Sequence, residues 1–132
     1  MRLLLDTHIA FWLGFEPERL TIGERAVLAA ERRAFAMSVV SLWELRVKWD
    51  RRFASGRRIG PIDPAILLST LRQASVQVLD LSPETCIAEL DPPLSHSDPF
   101  DQLLLAHAQQ EGCRLLTRDD KLKVHPVALV VS

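Results

Sequence analysis

The chain is predicted to fold as a parallel α/β domain: one central sheet of about five strands with helices on both faces. Short apolar segments of four or five residues alternate with longer segments of helical periodicity, the pattern that builds successive βαβ units. The helical segments open on recognisable caps, Thr21 with Glu24, Ser41 with Glu44, and the pairs Asp63-Pro64, Ser82-Pro83 and Asp98-Pro99. The chain is 132 residues long and 48% hydrophobic, which suits a single core and leaves no room for a second domain, so residues 1–132 are read as one unit.

Arg2 to Leu5 forms the first strand, a buried apolar run that ends on Asp6. One or two helical turns follow over 8–14, and the Thr21–Glu24 box opens an alanine-rich helix running to about Arg33. Ala34 to Ser38 is the second strand. A helix begun by the Ser41–Glu44 box continues to about Arg51, with Leu42, Leu45 and Trp49 at helical spacing. Phe53 to Pro61, with Gly56 and Gly60, reads as a loop. Asp63 and Pro64 cap a helix ending near Ala74, Val76 to Leu79 is the third strand, and Ser82 opens a shorter helix. After a loop over 91–97, Asp98 and Pro99 start a helix that Gly112 terminates. Cys113 to Leu116 and Val127 to Val131 complete the strands.

Composition narrows the function classes. The apolar runs are too short to cross a bilayer, and Asp6 interrupts the N-terminal one before a signal-peptide core could form, so a soluble, cytoplasmic protein without a membrane partner is expected. Cys86 and Cys113 lack metal-site or redox spacing and are read as buried thiols. Net charge is −1, but Arg46, Lys48, Arg51, Arg52, Arg57 and Arg58 face only Asp50 over their stretch. That stretch is either a solvated helix end or a surface that tracks phosphates. Trp12, Trp43 and Trp49 sit in apolar helical patterns and are expected to pack in the core or an interface.

Four acids carry the functional argument: Asp6, Glu44, Asp101 and Asp119. Ligands of open α/β sheets collect beyond the C-terminal strand ends, where strand order reverses. If the first and fourth strands are neighbours, Asp6 and Asp119 face one crevice, and Glu44 and Asp101 reach it from the first turns of their helices. Clustered carboxylates are hard oxygen donors suited to Mg²⁺ or Mn²⁺ and to phosphate-ester cleavage. Each acid also has a structural use: Glu44 in a cap or paired with Lys48, Asp101 against the helix dipole, Asp119 and Asp120 in a turn, Asp98 as an N-cap. Thr7, Ser38 and Thr117 offer hydroxyls to carboxylates or to turns. The four histidines are scattered and are given no catalytic role.

At LLLDTHIAFWL, SVVSLWELRVK, SDPFDQLLLAHA and LLTRDDKL the sequence resembles the PIN-domain family, in particular the VapC-like ribonuclease toxins of prokaryotic toxin–antitoxin pairs. The segments occur in the family's order and span nearly the whole chain. The resemblance implies an acidic tetrad at Asp6, Glu44, Asp101 and Asp119 acting as metal ligands and catalytic groups, hydroxyl support from Thr7 and Thr117, and Asp98 and Asp120 as neighbours of that set. It implies Mg²⁺- or Mn²⁺-dependent RNA cleavage leaving 5′-phosphate and 3′-hydroxyl ends, a small antitoxin partner, and a homodimer. Arg118, or Arg46, Lys48 and Arg51, would then hold the RNA backbone.

Rival readings are weaker on the residues. A haloacid-dehalogenase-type phosphotransferase needs a second Asp where His8 stands, and a receiver domain needs an acidic pair where Asp6 is alone, although Asp80 does follow the third strand. A non-cleaving binding module and a DNA-directed nuclease share the acid pattern and separate from a ribonuclease only by experiment.

Overall fold

The computed structural model describes residues 2–30, 34–95 and 98–132. Five strands, β1 (Leu3–Leu5), β2 (Phe35–Ser38), β3 (Gln77–Leu79), β4 (Arg114–Leu116) and β5 (Ala128–Leu129), form one wholly parallel sheet in the order β3-β2-β1-β4-β5. The chain runs outward from β1 through β2 to β3, then returns to the other side of β1 for β4 and β5. The reversal puts the switch point between β1 and β4, paired Leu3 to Arg114 through Leu5 to Leu116. The expected adjacency of the first and fourth strands is present.

The strand pleat sorts the core into two layers. Leu3, Leu5 and Met37 join Ile9, Leu67 and Leu71 on one face, whereas Leu4, Ala36 and Leu115 join Leu104, Leu105 and Ala108 on the other. Helices α1 (Thr7–Phe15), α2 (Ile22–Ala30) and α4 (Pro64–Gln73) contribute to the first layer. Helix α6 (Pro99–Gln110) covers the second with the short α5 (Pro83–Ile87) packed against it. Helix α3 (Val39–Asp50) serves both, with Leu45 in the first layer and Val40 in the second.

Most caps fall where the sequence put them. Thr21 and Glu24 exchange reciprocal bonds, Thr21 N–H to Glu24 Oε1 at 2.9 Å and Glu24 N–H to Thr21 Oγ1 at 3.0 Å. The expected continuation of α2 over 31–33 lies outside the described residues, as do 96 and 97 of the loop before α6. Asp63, Ser82 and Asp98 each cap a helix with Pro in its first turn, and Gly112 follows α6 at φ +67.

Other expectations need correction. Helix α3 starts at Val39 with Ser38 as its N-cap, because Ser38 Oγ takes the Val40 N–H at 3.0 Å. Ser41 and Glu44 therefore lie inside the helix, and the box assigned to them does not form. Strand β5 spans only two residues, since the C-terminal part of β4 offers it only Leu115 and Leu116. Cys86 is exposed, and only Cys113 is buried. The tryptophans are not fully buried: Trp43 is 62% exposed, while Trp12, packed against the first core layer, and Trp49 are half-buried beneath arginine side chains.

Candidate active site

The C-terminal end of β1 is the foundation of the site. Asp6 continues the β1–β4 ladder by donating its N–H to Leu116 O at 2.9 Å, and it then caps α1. Its Oδ1 accepts the Thr7 N–H at 2.7 Å and its Oδ2 accepts the Thr117 hydroxyl at 2.5 Å. The same Thr117 oxygen accepts the Asp119 N–H at 3.1 Å, and Asp119 Oδ1 caps its own turn on Lys121 N–H at 2.9 Å. One threonine thus spaces the two strand-end acids.

Glu44 enters from α3, buried. Its Oε1 receives the Thr7 hydroxyl at 2.8 Å, and its Oε2 lies 2.6 Å from Lys48 Nζ one helical turn on. Thr7 Oγ1 also lies 2.9 Å from Ser41 Oγ, so its single proton serves the carboxylate or the serine at any moment. Asp101 stands at the third position of α6, behind the N-cap Asp98, whose Oδ1 accepts the N–H groups of Phe100 and Asp101 at 2.9 and 3.1 Å. Asp6, Glu44, Asp98, Asp101 and Asp119 line one open pocket of about 410 Å³, with Lys48, Arg118, His8, Ile9 and Trp12 completing its wall. A cleft of about 520 Å³ between α5 and α6 is larger, but it gathers only Glu89 among acids.

Electrostatics single out the pocket. Asp101 is pushed up to about 7, first by burial and then by repulsion from Asp98, Asp6, Asp119 and Glu44. Burial also raises the Asp6 carboxyl, against the opposing bonds from Thr117 and Thr7, and the charge of Glu44 adds to the rise. Lys48 supplies one positive charge against five carboxylates. Arg118 does not supply a second, because its guanidinium grips the buried Glu24, donates to Arg19 O at 2.8 Å and lies 4.2 Å over the Trp12 ring. Burial works to raise the Glu24 carboxyl, but the bonds from Arg118 and Thr21 outweigh it and hold it low.

An oxygen-only donor set with unneutralised charge fits a hard divalent cation. Among the described residues, no three His, Cys, Asp or Glu side chains are drawn together tightly enough to hold an ion as they lie. Asp6, Glu44, Asp101 and Asp119 are nevertheless brought to one pocket. Asp120 is not, since its side chain is 85% exposed and lies 3.5 Å from Lys123. Arg46 pairs with Asp50 at 3.2 Å, and Arg51 caps the far end of α3.

Sequence reasoning overlooked His107. Its ring is fully buried in α6, and burial lowers its pKa against opposing influences from Glu111 and the Asp80 carbonyl. A neutral ring donating Nε2–H to Asp80 O, 3.1 Å away, leaves Nδ1 to accept the Ser38 hydroxyl at 2.7 Å. Ser38 caps the helix of Glu44, and His107 lies on the helix of Asp101. The imidazole therefore fastens α6 to the ends of β2 and β3. Only its place within LLLAHA, on an otherwise apolar helix face, hinted at burial.

A parallel sheet whose switch point opens into a pocket of carboxylates defines a class, the α/β domains with an acidic crevice beyond β1 and β4. This chain belongs to the PIN-domain family, whose pattern matches residues 3–127. It is 32% identical over 126 residues to ribonuclease VapC22 of Mycobacterium tuberculosis, covering 93% of this chain and 91% of that one. Among solved structures it is similar to VapBC2 from Rickettsia felis bound to a promoter DNA fragment, with TM-score 0.63, 18% identity, and 99% and 98% of the two chains covered. It is also similar to a toxin–antitoxin complex from Klebsiella pneumoniae, with TM-score 0.62, 19% identity, and 98% and 96% covered.

Proposed function

We propose that the chain is a metal-dependent endoribonuclease and the toxin half of a toxin–antitoxin pair. The observation that carries the reading is the meeting of Asp6, Glu44, Asp101 and Asp119 in one pocket at the switch point. Kinship with a protein named as a ribonuclease supports RNA as the substrate, and likeness to toxin–antitoxin complexes supports a protein partner.

In this mechanism the four carboxylates would hold Mg²⁺ or Mn²⁺, and the ion would supply Lewis-acid charge at the phosphodiester and lower the pKa of a water there. The protein's own part is positional. Thr117 and the Thr7 amide hold both Asp6 oxygens, so that carboxylate is fixed before anything binds. Thr7 turns Glu44 into the pocket, and Lys48 offsets part of its charge. Asp101 shares a proton with solvent near neutrality when no cation is present. Asp98 shapes the first turn of α6, and Asp120 has no part. Antitoxin binding and homodimer formation both need apolar area outside the pocket. The groove between α3 and α4, lined by Leu42, Trp43, Ala65 and Leu68, is one apolar surface of that kind.

The test is cleavage of cellular RNA by antitoxin-free protein with Mg²⁺ or Mn²⁺ and with EDTA, beside Asp6→Asn and a single-stranded DNA control. Discrete RNA fragments that need both metal and Asp6 are expected. Equal cutting of DNA, or none from folded protein, would overturn the reading.

A further inference from the structure

Beyond the pocket, the segment expected to be a loop after α3 is an ordered arm. Phe53 N–H donates to Arg57 O at 2.8 Å, Arg52 and Arg58 pair as an antiparallel bridge, and Gly56 turns the chain at φ +87. Ile59 and Gly60 tie the arm back to Arg51 O and Lys48 O, both at 3.0 Å. Gly60 is needed there, since a Cβ on it would lie 2.8 Å from the backbone nitrogen of Trp49.

The arm is cationic in a chain of net charge −1. Arg51, Arg52, Arg57 and Arg58 occur with no acid between Asp50 and Asp63, and Asp50 is taken by Arg46. Among the described residues, none of these four arginines is paired with a carboxylate. Two of them lie on rings: Arg58 is 4.3 Å from the Trp49 centroid and Arg57 is 6.0 Å from that of Phe53, itself 52% exposed. Lys48, paired with Glu44 at the pocket, and Arg51, the C-cap of α3, lead from the pocket to the arm, about 10 Å along the helix axis.

We propose that this arm is the docking surface for single-stranded RNA, with Arg51 and Arg57 contacting phosphates and Phe53 stacking a base. The acidic pocket by itself repels a polyanion, and a cationic arm about two helical turns away supplies the opposing attraction. An exposed ring with one guanidinium over it, Arg57 on Phe53, suits unstacked bases, whereas an acidic peptide would use the charges and leave the ring idle. The proposal rests on the ribonuclease reading for its choice of nucleic acid, and its test needs no turnover.

The experiment measures binding of a fluorescent oligoribonucleotide of about 16 nucleotides to the full chain carrying Asp6→Asn, by anisotropy across a salt series. Adding Arg51→Gln with Arg57→Gln is expected to weaken binding about tenfold at 0.1 M salt and to flatten the log–log salt slope by about 1.4, two phosphate contacts on a single strand. Phe53→Ala is expected to weaken it about fivefold or more. Arg25→Gln with Arg72→Gln, equal in charge and on other helices, should stay within about twofold by the same charge count. Unchanged melting temperatures establish that the variants fold. Arm variants that bind like this control, a parent that binds no RNA, or arm variants that lose only a co-expressed acidic protein partner would overturn the proposal. Arm-dependent binding by a wild-type chain that never cuts would leave the arm standing and remove the ribonuclease reading. Cutting with arm-independent binding would do the reverse.

Discussion

Thr117 shows how much one hydroxyl can organise. It donates to Asp6 and accepts from the Asp119 amide, so Thr117→Val removes both contacts at once and leaves buried polar atoms unmatched. The expected cost is about 1–3 kcal/mol of stability and about a hundredfold in cleavage rate through misplaced carboxylates. Thr117→Ser should keep most of both, and denaturation with steady-state kinetics measures the pair. Asp101 makes a second residue-scale prediction. Its folded pKa of about 7 exceeds the ordinary 3.8, so between those values the folded state binds more protons and this group's contribution to stability falls as pH rises. His107 acts in the opposite sense, its contribution fading as pH drops below 6.5, so the informative quantity is a difference between two proteins. Without metal, Asp101→Asn should melt higher than wild type at pH 8, with the gap closing towards pH 4. A gap independent of pH would remove Asp101 from the repelling cluster. Asp6 and Asp101 were legible because strand ends and helix starts are written in short local patterns, whereas Glu44 was expected in the first turn of its helix and enters from the second, since α3 begins at Val39. Asp120, expected as a neighbour of the acidic set, turns to solvent beside Lys123, since which way an acid next to Asp119 faces depends on the turn's backbone path.

Elements place these residues, and the joint between α3 and α6 is the critical one. His107, Ser38 and the Asp80 carbonyl form a buried chain that fixes the two helices carrying Glu44 and Asp101. His107→Leu strands a hydroxyl and a carbonyl, for an expected loss of about 2–4 kcal/mol. His107→Gln, which retains a donor and an acceptor, should recover part of it. Cleavage per folded molecule should fall in the Leu variant and rise again with Gln; equal rates in both would mean that the joint does not set the pocket. The sequence signals for caps worked at Thr21 and failed at Ser41 for a physical reason. The same S-x-x-E spacing occurs within any helix, and Ser38 captures the free amides three residues earlier. Strand β5 was overdrawn because Val130 and Val131 have strand-like side chains, while β4 has no further residues to pair with them.

At the scale of the whole molecule, two apolar layers carry the frame independently of the chemistry. Leu71 of α4 lies in the layer of Leu3 and Leu5, and its truncation to Ala should cost about 2–5 kcal/mol. Cleavage per folded molecule should be unchanged, as thermal melts paired with activity normalised to folded fraction would show. Parallel alternation could be read in advance because each strand is a brief apolar run between capped helices, whereas the β1–β4 neighbourhood entered only as a condition, since spacing carries no strand order. The arm's hairpin and the arginine-covered rings of Trp12 and Trp49 could not be read, since arginine-on-ring packing leaves no periodic trace. The strand order has a further consequence, in time. Asp6 is bonded to a residue 111 positions later, and the crevice exists only when β4 has slotted in beside β1. While the ribosome is still making the chain, the first acid waits without its partners, so the proposed cleavage site is complete only after Asp119 has been added and β4 has docked.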